Sequence, residues 1–200
     1  MKYFFTLLAL LFVVSVTGQQ NKYISAAVVS TQTDYPFGKF AALIGRPLHP
    51  GIEFGYGKNI NAKTNKEWFL ELRLGYFFHR FVQHGIPVTV NFGYRHRVGN
   101  HFTFQASLGG GYMQSIPATG KFKLDDNGEY QRNKGAGRMQ AVASFSLGAG
   151  YTIKPKAQIP YTVFSRYEQR LQFPFIKSYV PLLPYNSFHL GVQRPLHKKG

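Results

Sequence analysis

Residues 68–79 read WFLELRLGYFFH, and apolar and polar side chains alternate along most of this stretch. Every second residue from Trp68 to Phe78 is large and apolar, whereas the intervening positions include Glu71, Arg73 and Gly75. Successive side chains of a β-strand point to opposite faces. A period of two over twelve residues therefore predicts a strand with one apolar and one polar face.

The same alternation recurs along the chain and predicts six more strands. They lie within residues 52–56, 86–97, 102–112, 140–151, 161–168 and 188–193. An eighth strand must come from residues 22–46, where either 37–45 or 23–30 could supply it, and 37–45 is favoured. The sequence thus predicts an all-β fold of eight strands.

Five Gly-Tyr pairs fall near the ends of these runs, mostly 18 to 20 residues apart. In each pair the Gly lies on the polar face and the Tyr on the apolar face. Small residues suit the crowded interior of a narrow barrel, and Tyr suits a membrane–water interface. The predicted interfacial belt consists of Tyr56, Tyr76, Tyr94, Tyr112 and Tyr151.

The N-terminal segment has the composition of a secretory signal. Lys2 precedes a 13-residue apolar block from Phe4 to Val16, and small residues follow it, so cleavage is predicted after Gly18 or Gln19. The chain then divides into a signal peptide (1–18), a lead-in (19–36), a β-barrel (37–196) and a basic tail (197–200). The chain has no Cys, which excludes a disulfide framework and a lipidated Cys.

The chain is strongly basic, with 24 Lys and Arg against 8 Asp and Glu, a net charge of +16. Such a balance often indicates nucleic-acid binding. For an exported protein, the phosphates of lipopolysaccharide and of the membrane surface are the better partners, and we expect no nucleic acid and no cofactor.

Alternation alone does not say which face lies inside a barrel. Three features favour a membrane barrel with the polar face inside. The polar faces are rich in Gly, Ser and Thr, lysines lie almost entirely in turns and termini, and tyrosines lie at strand ends. The alternative is a secreted soluble β-barrel that binds an apolar ligand.

This pattern resembles the small outer-membrane β-barrel proteins of Gram-negative bacteria, the OmpA- and OmpX-type barrels with eight strands. The resemblance covers nearly all of the mature chain and rests on pattern, with no diagnostic motif. It implies an antiparallel up-and-down transmembrane barrel in the bacterial outer membrane, assembled by the barrel-assembly machinery. One departure is the end of the chain, where Pro195 and a basic tail replace the terminal aromatic residue common in such proteins.

The connections predict the orientation. If the N-terminus is periplasmic, the tight turn Val98-Gly99-Asn100 lies on the periplasmic side, and the longer segments 80–85, 115–135 and 172–184 lie outside. Asn127-Gly128 between short alternating runs favours a type I′ hairpin within the longest loop. The apolar loop Phe173–Pro184 is a candidate lid over the barrel mouth or docking surface for a protein partner.

The predicted lumen collects carboxylates and guanidinium groups, which must pair when confined. The network, to which Arg170 is a further candidate, consists of Glu53, Glu71, Arg73, Arg95, Arg97, Arg166 and Glu168. Because eight strands leave little room for water, the sequence favours a structural network that plugs the barrel over a small pore.

Catalytic and metal sites are not indicated. A lipid A-modifying barrel enzyme would need a Ser, a His and an acid within hydrogen-bond reach, and no spacing among the seven candidates singles out a triad. These candidates are Ser107, Ser144, Ser146, Ser165, His96, His101 and His189. His79 and His84, predicted to share one loop, lack further metal ligands at suitable spacing. The favoured function is a non-enzymatic barrel with a structural, surface-interaction or accessory role.

Overall fold

The computed structural model shows a closed antiparallel barrel of eight strands with a separate small hairpin. No helix in the part of the chain it describes is long and apolar enough to cross a membrane. The described residues are 22–33, 49–62, 65–80, 82–119, 122–124, 128–132, 135–153, 160–175 and 181–196.

Ten strands follow one another along the chain. They are β1 (Lys22–Thr33), β2 (Pro50–Ala62), β3 (Lys66–His79), β4 (Gln83–Val98), β5 (Phe102–Pro117), β6 (Phe122–Leu124), β7 (Tyr130–Arg132), β8 (Arg138–Ile153), β9 (Tyr161–Phe173) and β10 (Leu183–Leu196). The barrel order is β1-β10-β9-β8-β5-β4-β3-β2, and β6 pairs only with β7. Pairing of β1 with both β2 and β10 closes the sheet, so the barrel has no free edge.

The two faces of each strand separate as the alternation predicts. On β3, Leu70, Leu72 and Leu74 lie outside and are about half exposed, whereas Glu71 and Arg73 lie inside and are buried. In water this arrangement would be unstable, because every strand turns its large apolar side chains outward. The polar face is therefore the inner one, as predicted for a membrane barrel.

The first strand is β1, from Lys22 to Thr33, and not the favoured segment 37–45, which lies outside the described residues. The barrel accordingly begins within the predicted lead-in 19–36. Tyr23 and Ala27 face inward while Ile24 and Val28 are exposed. Small residues on both faces weaken the hydropathy contrast of this strand. The alternation of residues 22–33 is therefore a weak signal for a strand, which explains why the sequence favours another segment.

Long and short connections lie at opposite ends of the barrel. The terminal rim, with the strand ends Lys22 and Leu196, has short connections such as the turn 99–101, where Gly99 adopts φ +63°. The opposite loop rim has the connections 34–49, 118–137 and 174–182, which are longer. One prediction fails there: β4 starts at Gln83, so the connection predicted over residues 80–85 has only three residues, 80–82.

The hairpin within the longest connection is confirmed. Leu124 pairs with Tyr130 and Phe122 with Arg132. The type I′ turn predicted at Asn127-Gly128 stays a prediction, because Asn127 lies outside the described residues.

Glycines on the inner face make room for aromatic rings. A Cβ on Gly93 would lie 2.3 Å from the Phe69 ring and 2.7 Å from the carbonyl oxygen of Ala106. Gly57 and Gly85 receive the rings of Tyr23 and Phe77 in the same way. These positions explain why the polar faces carry so many glycines: the interior is filled by side chains that reach across the barrel.

Replacing Gly93 by Ala should therefore destabilise the barrel by about 1–3 kcal/mol, because the methyl group overlaps both a ring and the backbone. Gly110→Ala is the matched control, since the nearest atom to its Cβ is 3.8 Å away. The temperature at which the folded band disappears on unboiled denaturing gels measures the effect. Equal shifts in the two variants would contradict close packing at Gly93.

Candidate functional site in the barrel interior

A buried ionic cluster occupies the middle of the lumen. Arg73 on β3 pairs with Glu71 at 2.7 Å and with Glu168 on β9 at 3.2 Å. Arg166 forms a close ion pair with Glu53, and Arg170 forms one with Glu168. All six side chains are at most 7% exposed. Strands on opposite sides of the barrel are thus joined through charged groups.

The charges in this cluster balance, with three carboxylates against three guanidinium groups. A buried ion without a partner is far less stable than a paired one, so the balance is a condition for folding. Asn91 accepts from Arg73 at 3.3 Å, and Ser25 donates to Glu71 at 3.0 Å. These neutral neighbours satisfy groups that the ion pairs leave free.

His189 on β10 completes the cluster. Its Nδ1 lies 3.5 Å from Glu53 Oε1 and 3.0 Å from Arg166 Nη2. Ligand atoms of Glu53, Glu168 and His189 lie within 4.8 Å of one another, which is close enough to hold a metal ion. However, Arg166 and Arg170 already pair with the same carboxylates, so a cation there would meet two guanidinium groups. The geometry favours the ion pairs over a metal.

An apolar layer and an amide chain lie between this cluster and the loop rim. The layer consists of Phe77, Met113, Val142 and Tyr185, all buried. Gln83 donates to Gln172 at 2.7 Å and to the Tyr185 hydroxyl at 2.6 Å. Gln172 donates in turn to Gln140. These contacts join side chains of β4, β8, β9 and β10 across this part of the lumen.

At the loop rim, the start of the 174–182 connection is hydrogen-bonded to Gln140 of the neighbouring strand β8. Gln140 donates to the carbonyl oxygens of Pro174 at 2.5 Å and of Phe175 at 3.3 Å. Nearby, the rings of His49 and His79 stack with centroids 3.8 Å apart. His79 lies inside the barrel at the end of β3, whereas His84 lies on β4 and bonds to Tyr76 at 2.9 Å, so the two histidines do not share a loop.

An aromatic layer separates the ionic cluster from the terminal rim. The Arg95 guanidinium lies 4.7 Å from the centre of the Phe69 ring and 5.0 Å from that of Tyr23. Phe164 is also buried in this part of the lumen, with Arg166 above it at 5.5 Å. Cation–π contacts of this kind stabilise a desolvated guanidinium group.

Two of the predicted network residues lie apart from the others. Arg95 and Arg97 pair with Glu67, at 3.6 and 2.6 Å, near the terminal rim. The residues predicted to form the lumen network therefore lie in two groups, a central cluster and this pair of arginines. Glu67 was missed, although the alternation of β3 extends back from Glu71 through Phe69 and places Glu67 on the inner face. His189 was considered only as a base.

The predicted belt residues face outward and form two rows. Tyr56, Tyr94 and Tyr151 lie towards the terminal rim, and Tyr76 and Tyr112 towards the loop rim. Trp68 stacks on Phe92 at 5.2 Å and contacts Tyr94 at 5.1 Å. Trp68 and Tyr76 on β3 are about 26 Å apart along the strand, or about 20 Å along a barrel axis tilted by about 40°. That spacing is close to the ~25 Å apolar band of outer-membrane barrels.

The seven residues considered for catalysis form no triad in the described part of the chain. Ser107 and Ser146 bond to each other at 2.7 Å, and Ser144 bonds to Asn91 at 3.5 Å. None of these three hydroxyl groups bonds to an imidazole. His189 is held between Arg166 and Glu53, so it contacts no nucleophile.

Sequence comparisons give no relative: no protein-family model and no curated protein matches the chain significantly. Solved structures with the same barrel fold include three bacterial proteins. Ail of Yersinia pestis is 13% identical with a TM-score of 0.46, covering 88% of this chain and 97% of Ail. Neisserial surface protein A is 8% identical with a TM-score of 0.48, covering 88% and 97%. The N-terminal barrel domain of Pseudomonas aeruginosa OprF is 13% identical with a TM-score of 0.37, covering 89% and 100%.

The chain's own surface identifies the type of barrel. A closed ring of eight strands with an apolar exterior, two rows of interfacial aromatic residues and a polar interior is the architecture of small outer-membrane β-barrels. Such an exterior is stable only when hydrocarbon surrounds it. The molecule is a transmembrane β-barrel of the outer-membrane type.

Removing one partner of a buried pair should be costly. Arg166→Met should lower the free energy of unfolding by about 3–5 kcal/mol, because Glu53 keeps a buried charge without its close partner. Urea unfolding in lipid vesicles, followed by fluorescence of Trp68, the single Trp of the chain, measures the effect.

The double variant Glu53→Gln/Arg166→Met should recover part of this loss, since both charges are then gone. Arg194→Met is the control because Arg194 is exposed on the outer face of β10. A stability of Arg166→Met equal to that of Arg194→Met would contradict the role of the ion pair.

Proposed function

We propose that this protein is a non-enzymatic, non-conducting barrel of the bacterial outer membrane with a structural or surface-interaction role. The observation that carries the proposal is the filled lumen. A glutamine chain, an apolar layer, a balanced ionic cluster and an aromatic layer follow one another across the full height of the barrel. A continuous water path would have to cross all four.

Two alternatives fit the structure less well. A soluble carrier of an apolar ligand needs an apolar cavity inside and a polar surface, and this barrel has the reverse arrangement. A lipid-modifying enzyme needs a nucleophile next to a base at the membrane surface, and the three buried serines bond to one another and to Asn91 instead.

The loop rim is the proposed interaction surface. The hairpin of β6 and β7 forms its own small sheet there, and Tyr130 within it is 75% exposed. The loops at this rim carry Lys121, Lys123, Arg132 and Lys134 in sequence, which suits contact with lipopolysaccharide phosphates. Leu182, in the connection after β9, is half exposed and provides an apolar side chain at this surface for contact with a protein partner.

The last strand, β10, is the part of the chain that bears on assembly into the membrane. Phe188, Leu190 and Val192 of β10 face outward, and β10 closes the barrel against β1. We propose that the barrel-assembly machinery reads this strand although Pro195 and the basic tail follow it. A signal peptide at residues 1–18 would deliver the chain to the periplasm.

Planar-bilayer recording tests the closed lumen. The wild-type protein should show no stable conductance, because no water-filled path crosses the ionic and apolar layers. A variant with Arg73, Arg166 and Phe77 all replaced by Ala removes side chains from both layers and should show discrete openings if it folds. Steady channels in the wild type would refute a plugged barrel.

Epitope tags test the orientation. With the N-terminus in the periplasm, a tag inserted after Gly128 should be labelled on intact cells, because the longest connection then faces outward. A tag inserted after Gly99, at the terminal rim, should be labelled only after the outer membrane is permeabilised. The opposite pattern would invert the topology and remove the contact with lipopolysaccharide.

A further inference from the structure

A cavity of about 250 Å³ opens at the terminal rim, inside the mouth of the barrel. We call it the vestibule; its lining includes Lys22, Tyr23, Arg95, Arg97 and Thr152. The aromatic layer closes it on the inner side, where only a narrow extension of about 40 Å³ reaches Gln105 and Phe164. The vestibule is therefore a recess inside the mouth of the barrel with the aromatic layer beneath it.

The vestibule has more positive than negative charge. Two guanidinium groups and the Lys22 ammonium group line it, and Glu67 is the one carboxylate within ion-pair distance of any of them among the described residues. None of the other acidic residues in the described part of the chain lines the vestibule. Glu53, Glu71 and Glu168 lie in the ionic cluster, and Glu129 lies at the loop rim beside β7.

Arg95 is held in place by neutral acceptors. It donates to Gln105 at 3.3 Å and to Gln193 at 3.2 Å, and it lies over two aromatic rings. Its charge is thus fixed in the floor of the vestibule, where the single carboxylate Glu67, 3.6 Å away, is shared with Arg97 and balances only one of the two guanidinium groups. Such a preorganised cation stabilises an anion that enters above it.

Arg97 supplies the exposed donors. Its side chain is half exposed and forms one ion pair, with Glu67 at 2.6 Å. A guanidinium group carries five N–H donors in a planar fork, so one carboxylate leaves several of them free for a second oxyanion. Asn59 also donates to Glu67, at 3.1 Å, so this carboxylate is shared among several donors.

Hydroxyl groups also belong to the vestibule lining. Tyr23 is 2% exposed with the Arg95 guanidinium group over its ring, so its buried hydroxyl group lies beneath the floor of the cavity. The hydroxyl groups of Thr152 and Thr162, 2.9 Å apart, lie on its wall. Hydroxyl and guanidinium donors around one cavity match a tetrahedral oxyanion.

We propose that the vestibule binds the phosphate group of a small phosphate ester at the periplasmic mouth of the barrel. Arg97 and Lys22 contact the phosphate oxygens, Arg95 stabilises their charge from the floor, and the hydroxyl groups of Thr152 and Thr162 supply further donors from the wall. The same chemistry fits a soluble phosphate ester and the headgroup of an inner-leaflet phospholipid. The proposal is independent of the conductance of the lumen.

Isothermal titration calorimetry with the protein in dodecyl maltoside, a detergent without phosphate, tests this site. One arm titrates glycerol 3-phosphate, and the other titrates short-chain phosphatidylglycerol. Arg97→Met should weaken binding at least tenfold, and Lys22→Met should weaken it severalfold. Arg194→Met is the matched control, because it removes one positive charge near the same rim from the outer face of the barrel.

Each outcome decides the proposal. Binding of glycerol 3-phosphate that depends on Arg97 and not on Arg194 supports a soluble ligand. Binding of phosphatidylglycerol alone, with the same dependence, supports a lipid headgroup. If neither compound binds, or if Arg194→Met weakens binding as much as Arg97→Met, the vestibule is only a basic rim and the proposal is overturned.

Discussion

The pairing of Arg73, Arg166 and Arg170 with Glu53, Glu71 and Glu168 is the constraint on which this barrel depends. An eight-stranded barrel is too narrow to hydrate six charged groups. Two of the pairs, Arg73 with Glu168 and Arg166 with Glu53, join different strands, so the network ties together the registers of β2, β3 and β9. A shift of one residue in any of them would turn its charges into the membrane. Specificity of folding, rather than a large net stabilisation, is what such a cluster supplies.

The glycines and aromatic residues follow from the same lack of space. Large rings such as Phe69, Phe77 and Tyr23 fill the cross-section above and below the ionic cluster, and each ring lies against a glycine on a neighbouring strand. In the pair Gly93-Tyr94, the glycine therefore makes room for a ring inside the barrel and the tyrosine faces the membrane interface outside it. A Cβ on Gly55, in another pair, would instead meet Ser25 and Glu71 in the interior.

Much of this fold can be read from the sequence because a period of two is a strong signal where one face is charged. On β3, Glu71 and Arg73 between leucines leave no doubt about the faces. On β1, Ala26, Ala27 and Val29 give little contrast in hydropathy between the two faces. For that reason the sequence favours residues 37–45 as the first strand, whereas the first strand in the structure is β1. Strand pairing identifies the first strand where the alternation is weak, because β1 pairs with β10 and so closes the barrel.

The interior was only partly predictable for a physical reason. Alternation tells which residues face the lumen but not how high they lie, because the strands are tilted and neighbouring strands are offset. Arg95 and Arg166 both face inward, yet one pairs with Glu67 near the terminal rim and the other with Glu53 in the centre. The separation of these two groups leaves the central cluster neutral and the vestibule basic. A single sequence pattern has thus produced two environments, a central cluster in which carboxylates and guanidinium groups balance and a mouth in which guanidinium groups outnumber carboxylates.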